Sequence, residues 1–496
     1  MPPPIRLSCL FFLILSVLPL LNSKQCVAQE IKFSVVKIYS VYNSFNYHNP
    51  WQKQGQKPYH GSGCIIAGNK ILTCAHVVSD SQFIEVVKAG QAKRYTARIE
   101  AIAHETDLAI LTVSDTDFFI DSTPIQIGPL PEIRDEVTVY GFPEGGDKLS
   151  ITRGIVSRLE HINYTHSNTY LLGCQIDASI NPGNSGGPVI VDDKLVGVAF
   201  QGMNTGQFQN IGYMIPPPII NHFLADLGAE RTPQTPSLGL VMQKLENPGM
   251  RRYLQLPTET TGVLVNRIAP DSPLAAQLKI GDVILNVDGV NIANDGTIEF
   301  RNGERTYFGY LLQQKAIGDP ASFTISRNGL EMTISLALTK PLDFDSLVPR
   351  IPQELPPVYY IFGGLVFQPL TLSYLQGFGS KGDWAVNAPP ELLHLYQNGH
   401  PTDDAREVVV LTQVLADSCN IGFHDFSDTV ISKVNGKTIS QFKDLIKAIE
   451  QCQEEYQTVE DNQGFKIVLH NANAKKAMRE RILKNYSIPA DRSPAF

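Results

Sequence analysis

The stretch DASINPGNSGGPVI, residues 177–190, decides the reading of this chain. It sets Ser185 among Gly183, Gly186 and Gly187, with apolar residues on both flanks. Glycines at that density let the backbone turn sharply, so that successive N–H groups converge on one point. A hydroxyl presented this way becomes a nucleophile only if an imidazole takes its proton and a buried carboxylate fixes the imidazole. Two upstream stretches supply those groups. LTCAHVV (72–78) places His76 just after a strand, and HETDLAIL (104–111) places Asp107 at the entry to a buried one. Singly, each has a plain structural reading: a histidine at a strand end, a turn aspartate, a tight glycine loop. Together, in the order His, Asp, Ser, they point to a catalytic triad, with the amides of Gly183 and Ser185 as the oxyanion hole. His104 competes locally for the role of base; its surroundings lack the small residues beside His76, and it is expected at the surface.

The background around these residues is β-rich. From Val35 to about Ile215 short apolar runs follow one another (SVVKIYSV, KILTCAH, YTARIEAIA, LAILTV, EVTVYGF, ITRGIVSRLE, TYLLGCQID), the mark of a sandwich or barrel. PPP at 216–218 stops the last strand, IINHFLADL (219–227) reads as a short helix, and a polar linker reaches Pro236. A second block extends from Ser237 to about Thr339, with helices expected at 274–278 and 306–316. A third, Tyr359 to His470, repeats its layout. DVILNVDGV (282–290) and DTVISKVNGK (428–437) echo each other, as in a diverged duplication. The tail from Ala472 is charged and expected to be helical as far as Lys484.

Length and composition agree with a multidomain globular protein: 496 residues, 43% hydrophobic and 18% charged. The net charge of −8 gives nucleic acid no favourable field. Arg6 followed by the apolar run Leu7–Leu21 and the small residues before Gln29 predict a signal peptide over 1–28, hence export: the periplasm of a bacterium, otherwise the secretory route. The competing reading, a membrane anchor, falls short of the ~20 apolar residues needed to span a bilayer, so no stable membrane span is expected. Five cysteines remain after cleavage, too few and odd in number for a disulfide scaffold. Cys64 and Cys74 flank a turn at Gly68-Asn69, and whether they pair is left open.

The motifs GSGCII, ILTCAHVV, HETDLAIL, YGFPEGG, DASINPGNSGGPVI and NIGYMIPPPII resemble those of the HtrA/Deg (protease Do-like) family. IANDGTIEFRNGERTYFGYLL resembles an insertion in the first PDZ domain of the branch known from plant organelles, and YYIFGGLVFQPLT resembles that branch's divergent second PDZ domain. The resemblance implies a mainly β chain. A trypsin-like double β-barrel protease domain (29–230) would precede two PDZ-type α+β domains (237–340 and 355–472) and a tail (473–496). It implies an ATP-independent serine endopeptidase acting on unfolded or misfolded exported proteins or peptides, assembled as trimers or multiples of trimers, with no cofactor and no metal. The alternative is a chaperone or PDZ scaffold with limited proteolysis. Asn184 departs from digestive relatives of the fold, which carry an aspartate there that pairs with a newly cut N-terminus.

By the same likeness the primary specificity pocket is assigned to Ser179, Ile180, Ala199, Phe200 and Gln201. Without an acidic residue among them, small or medium aliphatic side chains are expected before the cut. Leu238-Gly239-Leu240 fits the PDZ loop that holds a peptide carboxylate; Phe362-Gly363-Gly364-Leu365 is the nearest match in the third block, where the long insert Pro369–Arg406 leaves peptide capture and assembly equally open. The polar stretch Glu160–Thr169 is expected to be a loop that senses PDZ or substrate, and Asn163-Tyr164-Thr165 is a glycosylation sequon.

Overall fold

The computed structural model describes residues 31–205, 208–350, 354–379 and 383–494. The expected signal peptide lies outside them; among the described residues no helix is long and apolar enough to cross a membrane. The chain is mainly β, a trypsin-like double barrel followed by two PDZ-type units.

Six antiparallel strands close the first barrel: Val35–Tyr42, Lys57–Ile66, Lys70–Thr73, Leu108–Val113, Tyr95–Ala103 and Ser81–Lys88. Six more close the second: Pro188–Val191, Lys194–Thr205, Phe208–Ile215, Thr169–Ile176, Ser150–Tyr164 and Glu136–Gly141. Closure leaves neither sheet with an open edge. One continuous apolar cluster joins them, from Val36, Ile71 and Leu111 in the first barrel to Tyr140, Tyr164 and Val198 in the second. The helix Pro217–Gly228 starts two residues earlier than the apolar spacing predicts, because proline is tolerated in a first helical turn. Cys64 and Cys74 are both buried free thiols.

Both PDZ-type units run one strand order. The first is Leu240–Lys244, Val263–Ile268, Val283–Val287, Pro320–Arg327, Leu330–Ala337; the second matches it with Leu365–Pro369, Val409–Val414, Thr429–Val434, Tyr456–Asp461, Lys466–His470. The echoed phrases occupy the same central strand, each followed by a tight turn with two positive φ values (Asp288 and Gly289, Asn435 and Gly436). A helical run over 471–485 accounts for the charged tail.

Three expectations are corrected. Residues 274–278 form a single turn, with Leu278 N–H bonded to Leu274 O. Residues 306–316 split into the end of a strand, Glu304–Tyr307, and one helical turn, Tyr310–Gln313; Thr306 and Tyr307 pair with Ile298 and Thr297, and cross-strand bonding overrides the helical spacing. Most of Glu160–Thr169 is not a loop. The strand continues to Tyr164, only 165–168 turn, and the result is a long hairpin, Ser150–Tyr164 with Thr169–Ile176.

Candidate active site

His76 is lifted into the cleft between the barrels by the short helix Ala75–Val78, directly after the strand Lys70–Thr73. Asp107 sits at φ 54°, a left-handed value that aspartate tolerates better than most residues, and is 1% exposed. Its carboxylate accepts two hydrogen bonds from His76: the backbone N–H at 2.8 Å and Nδ1–H at 2.7 Å. That geometry fixes the imidazole with Nε2 left for other chemistry. Burial alone would lower the His76 pKa, but the Asp107 charge and hydrogen bond outweigh it and raise the pKa above 6.5. Asp107 is held below its ordinary value: burial opposes ionisation, and the neighbouring His76 and His166 more than offset it.

Ser185 lies on the facing loop. Its hydroxyl donates to the Phe200 carbonyl at 3.3 Å rather than to His76. Gly183, at φ +94°, has no room for a side chain, since a Cβ there would fall 2.4 Å from Phe142 O. The Pro182 carbonyl accepts from Glu144 N–H and the Asn184 carbonyl from Gly187 N–H. In trans peptides C=O and N–H point opposite ways, so the Gly183 and Ser185 amides face away from the donors Glu144 and Gly187. Among the described residues neither amide donates to a protein acceptor. Two amides without a protein acceptor among the described residues thus flank the hydroxyl.

Ser62, which sequence reasoning did not single out, anchors this loop from the first barrel. Its N–H donates to Ser185 O, its hydroxyl donates to Gly183 O at 2.7 Å, and it accepts from Phe142 N–H. Asn184 is 2% exposed, and its Oδ1 is unbonded among the described residues. An aspartate there would be a buried, unpaired charge.

The pocket residues come together, though not as an open slot. Ile180 lies over Gly212, its Cδ1 and Cγ1 each 2.9 Å from where a Cβ would be, and so fills the space beneath. Ala199 is wholly buried, and Phe200 packs its ring on Tyr164 at 4.6 Å. Gln201 accepts from Thr165 at the hairpin turn, and the Ser179 carbonyl accepts from Thr152.

The expectation that His104 is a surface residue is overturned. Its side chain is 9% exposed, with Nδ1 2.9 Å from His166 Nε2. His166, on the hairpin turn, has its ring tilted 6.1 Å from that of His76, and burial pushes its pKa down to about 4. Only folding of the hairpin back over the cleft makes this neighbourhood, so no local sequence signal marks it.

In the first PDZ-type unit, Leu238, Gly239 and Leu240 line a groove of about 140 Å³ with Phe308, Leu312 and the hairpin's Tyr170, and Leu240–Lys244 is an edge strand. In the second unit, Phe362-Gly363-Gly364-Leu365 is a tight hairpin turn, φ +58° and +88°. It folds Tyr360–Phe362 onto Leu365–Pro369, the strand whose counterpart is free in the first unit. The edge is therefore already filled from within.

One trio of side chains among the described residues, Cys74, His76 and Asp107, has donor atoms within 4.8 Å of one another. It suits a metal poorly. Burial, aided by the Asp107 charge, pushes the Cys74 thiol well above its ordinary range, and His76 and Asp107 bond directly to each other.

Comparison with known proteins fits these features. The trypsin-like peptidase domain profile matches residues 61–198, and PDZ domain profiles match 236–338 and 348–495. The chain is 38% identical over 460 residues to "Putative protease Do-like 3, mitochondrial" of Arabidopsis thaliana, covering 92% of this chain and 79% of the relative. It is 38% identical over 464 residues to "Protease Do-like 2, chloroplastic" of the same plant, covering 93% and 74%. Among solved structures, "HtrA-type protease AlgW with tripeptide" aligns with a TM-score of 0.51 at 25% identity, over 64% of this chain and 98% of that one.

Proposed function

Because the chain belongs to the HtrA/Do-like family of serine proteases, we propose that it is an ATP-independent endopeptidase acting on unfolded or misfolded polypeptide, with His76, Asp107 and Ser185 as its triad. The observation that carries this reading is the doubly bonded His76–Asp107 pair, set in the same cleft as a hydroxyl flanked by two unengaged amides. Substrate entry frees Ser185 from the Phe200 carbonyl, and rotation about its χ1 turns the hydroxyl to His76 Nε2. The imidazole takes the proton as Ser185 attacks the scissile carbonyl, Asp107 stabilises the imidazolium, and the Gly183 and Ser185 amides receive the oxyanion. His76 then returns the proton to the leaving amine, and water repeats the sequence on the acyl-enzyme.

The packing of Ile180 over Gly212 supports small or medium aliphatic residues before the cut. Leu238-Gly239-Leu240 would take the C-terminus of an extended chain as an added strand. Export by the amino-terminal segment is part of the proposal; the relatives named above are organellar. So is assembly into trimers or their multiples, for which Phe33 and Phe83, 38% and 47% exposed, offer apolar surface that a subunit contact would cover. The deciding comparison is wild type against Ser185→Ala on a denatured, casein-like substrate. Loss of the nucleophile should lower turnover by roughly 10⁶-fold, and equal cleavage by both proteins would reject the assignment.

A further inference from the structure

The turn His104–Asp107 carries the proposed acid of the triad, and three distant segments meet on it. His104 joins the hairpin through His166 and faces Glu354, from the segment between the two PDZ-type units, at 3.6 Å. The Glu105 carbonyl accepts from the hydroxyls of Ser167 at 2.9 Å and Thr169 at 3.1 Å, both at the hairpin turn. The Glu105 side chain points the other way and accepts from the amide of Thr235, in the linker into the first PDZ-type unit.

Glu105 is 5% exposed, and among the described residues no cation pairs with it. The groups around it are predominantly acidic. The helix Pro217–Gly228 presents His222 and Asp226; Asp226 is already engaged by Arg231 at 2.8 Å and by His222 at 3.3 Å. From beyond the first PDZ-type unit comes Asp343, whose carboxylate accepts from the Arg350 amide. A cavity of about 10 Å³, roughly one water, lies among Glu105, His222, Asp226 and Thr235. An ionised carboxylate at this point would be buried beside two others, with Arg231 already drawn to Asp226.

We propose that Glu105 is a positioning residue for Asp107: its buried carboxyl ties the His104–Asp107 turn to the linker of the first PDZ-type unit, and the tie weakens as that carboxyl loses its proton. The proposal rests on Asp107 being the acid of the triad. Burial, with the Asp226 and Asp343 charges, pushes the Glu105 pKa from 4.5 up to about 8 in the tied state. A raised carboxyl pKa means that the tied state holds its proton more firmly than the released one. The tie is therefore strongest below the ordinary carboxyl range and weakens as pH rises from about 4.5 to about 8. The tied-to-released ratio falls by up to about tenfold per pH unit across that window.

Two measurements on the full chain test this. In a Ser185→Ala background, which cannot digest itself, hydrogen exchange over 229–236 gives the opening constant of the linker. It should grow by up to about tenfold per pH unit toward pH 8, and lose that slope in Ser185→Ala/Glu105→Gln, which keeps the acceptor but not the titration. In the active chain, Glu105→Ala should lower kcat by about tenfold or more with KM little changed. Glu105→Gln should restore most of kcat and remove the decline of kcat toward pH 8 expected of wild type. An equal exchange slope with and without the Gln substitution overturns the tie; a folded Glu105→Ala protein with wild-type kcat overturns the positioning role. The exchange arm needs no activity, so a failure of the peptidase reading itself would show separately, as cleavage that survives Ser185→Ala.

Discussion

In the proposed mechanism His76 takes a proton from Ser185 only when neutral, so its pKa would set the acid limb of activity. The Asp107 charge and the Nδ1–H hydrogen bond that its carboxylate accepts favour the imidazolium more than burial disfavours it. The expected outcome is a kcat/KM that rises with pH through a midpoint above 6.5, with the Glu105-dependent decline superposed on it toward pH 8. Asp107→Asn should move that midpoint down and cut kcat by roughly 10⁴-fold; pH–rate profiles of both proteins check it, and a wild-type midpoint below 6.5 would contradict the assignment. At this scale the candidate triad residues could be singled out because residue type and local glycine content carry the signal. Ser62 and His166 were not: a serine in a strand and a histidine in a polar stretch acquire roles only from what folds against them.

Elements show how one layout serves two ends. Leu240–Lys244 in the first PDZ-type unit is an edge strand beside a groove, and the proposed function places a peptide strand there. Its counterpart, Leu365–Pro369, is paired with Tyr360–Phe362, and the Ile361 amide bonds in turn to Asp491 O near the C-terminus. Tyr360 and Phe362 pack with Phe442, Leu445 and Ile449, so they occupy the place of ligand side chains between sheet and helix. A fluorescent peptide with an apolar C-terminus should therefore bind one site per chain, not two. Gly239→Val should abolish that site, because a Cβ at φ +62° would fall 2.4 Å from Phe344; saturation binding with two equivalents would refute the closed edge. The FGGL match alone could not separate the cases, since glycines suit a carboxylate loop and a tight hairpin turn equally well.

Across the whole molecule, both PDZ-type units are bound to the protease barrels. Gln313, 5% exposed, accepts from Leu172 N–H and donates to Tyr170 O, both on the hairpin, while Arg301 donates to Pro131 O. The second unit grips the segment between the first two strands. Gln368 and Gln413 donate to the carbonyls of Tyr47 and His48, the His48 ring lies 4.7 Å from Tyr374 and 4.5 Å from Phe378, and Trp51 meets Tyr359. Aromatic contacts of this kind contribute about 0.5–1.5 kcal/mol each. His48→Ala/Trp51→Ala should accordingly uncouple the second unit, so that calorimetry resolves two transitions where wild type unfolds in one. A single unchanged transition would show that these rings do not hold the units together.

The amino-acid sequence by itself pointed to a sandwich or barrel, to the repeated PDZ layout and to the candidate triad residues, and the family resemblance narrowed the first to a double barrel. Strand periodicity, turn glycines and a serine in a glycine-rich run are short-range properties that survive without knowledge of packing. Tertiary structure alone decided that Glu160–Tyr164 is strand, that His104 is covered, that Glu105 joins a linker to the Asp107 turn and that the second PDZ edge is filled. Each depends on which distant segment arrives to supply a hydrogen-bond partner or exclude water, and no local pattern encodes that arrival.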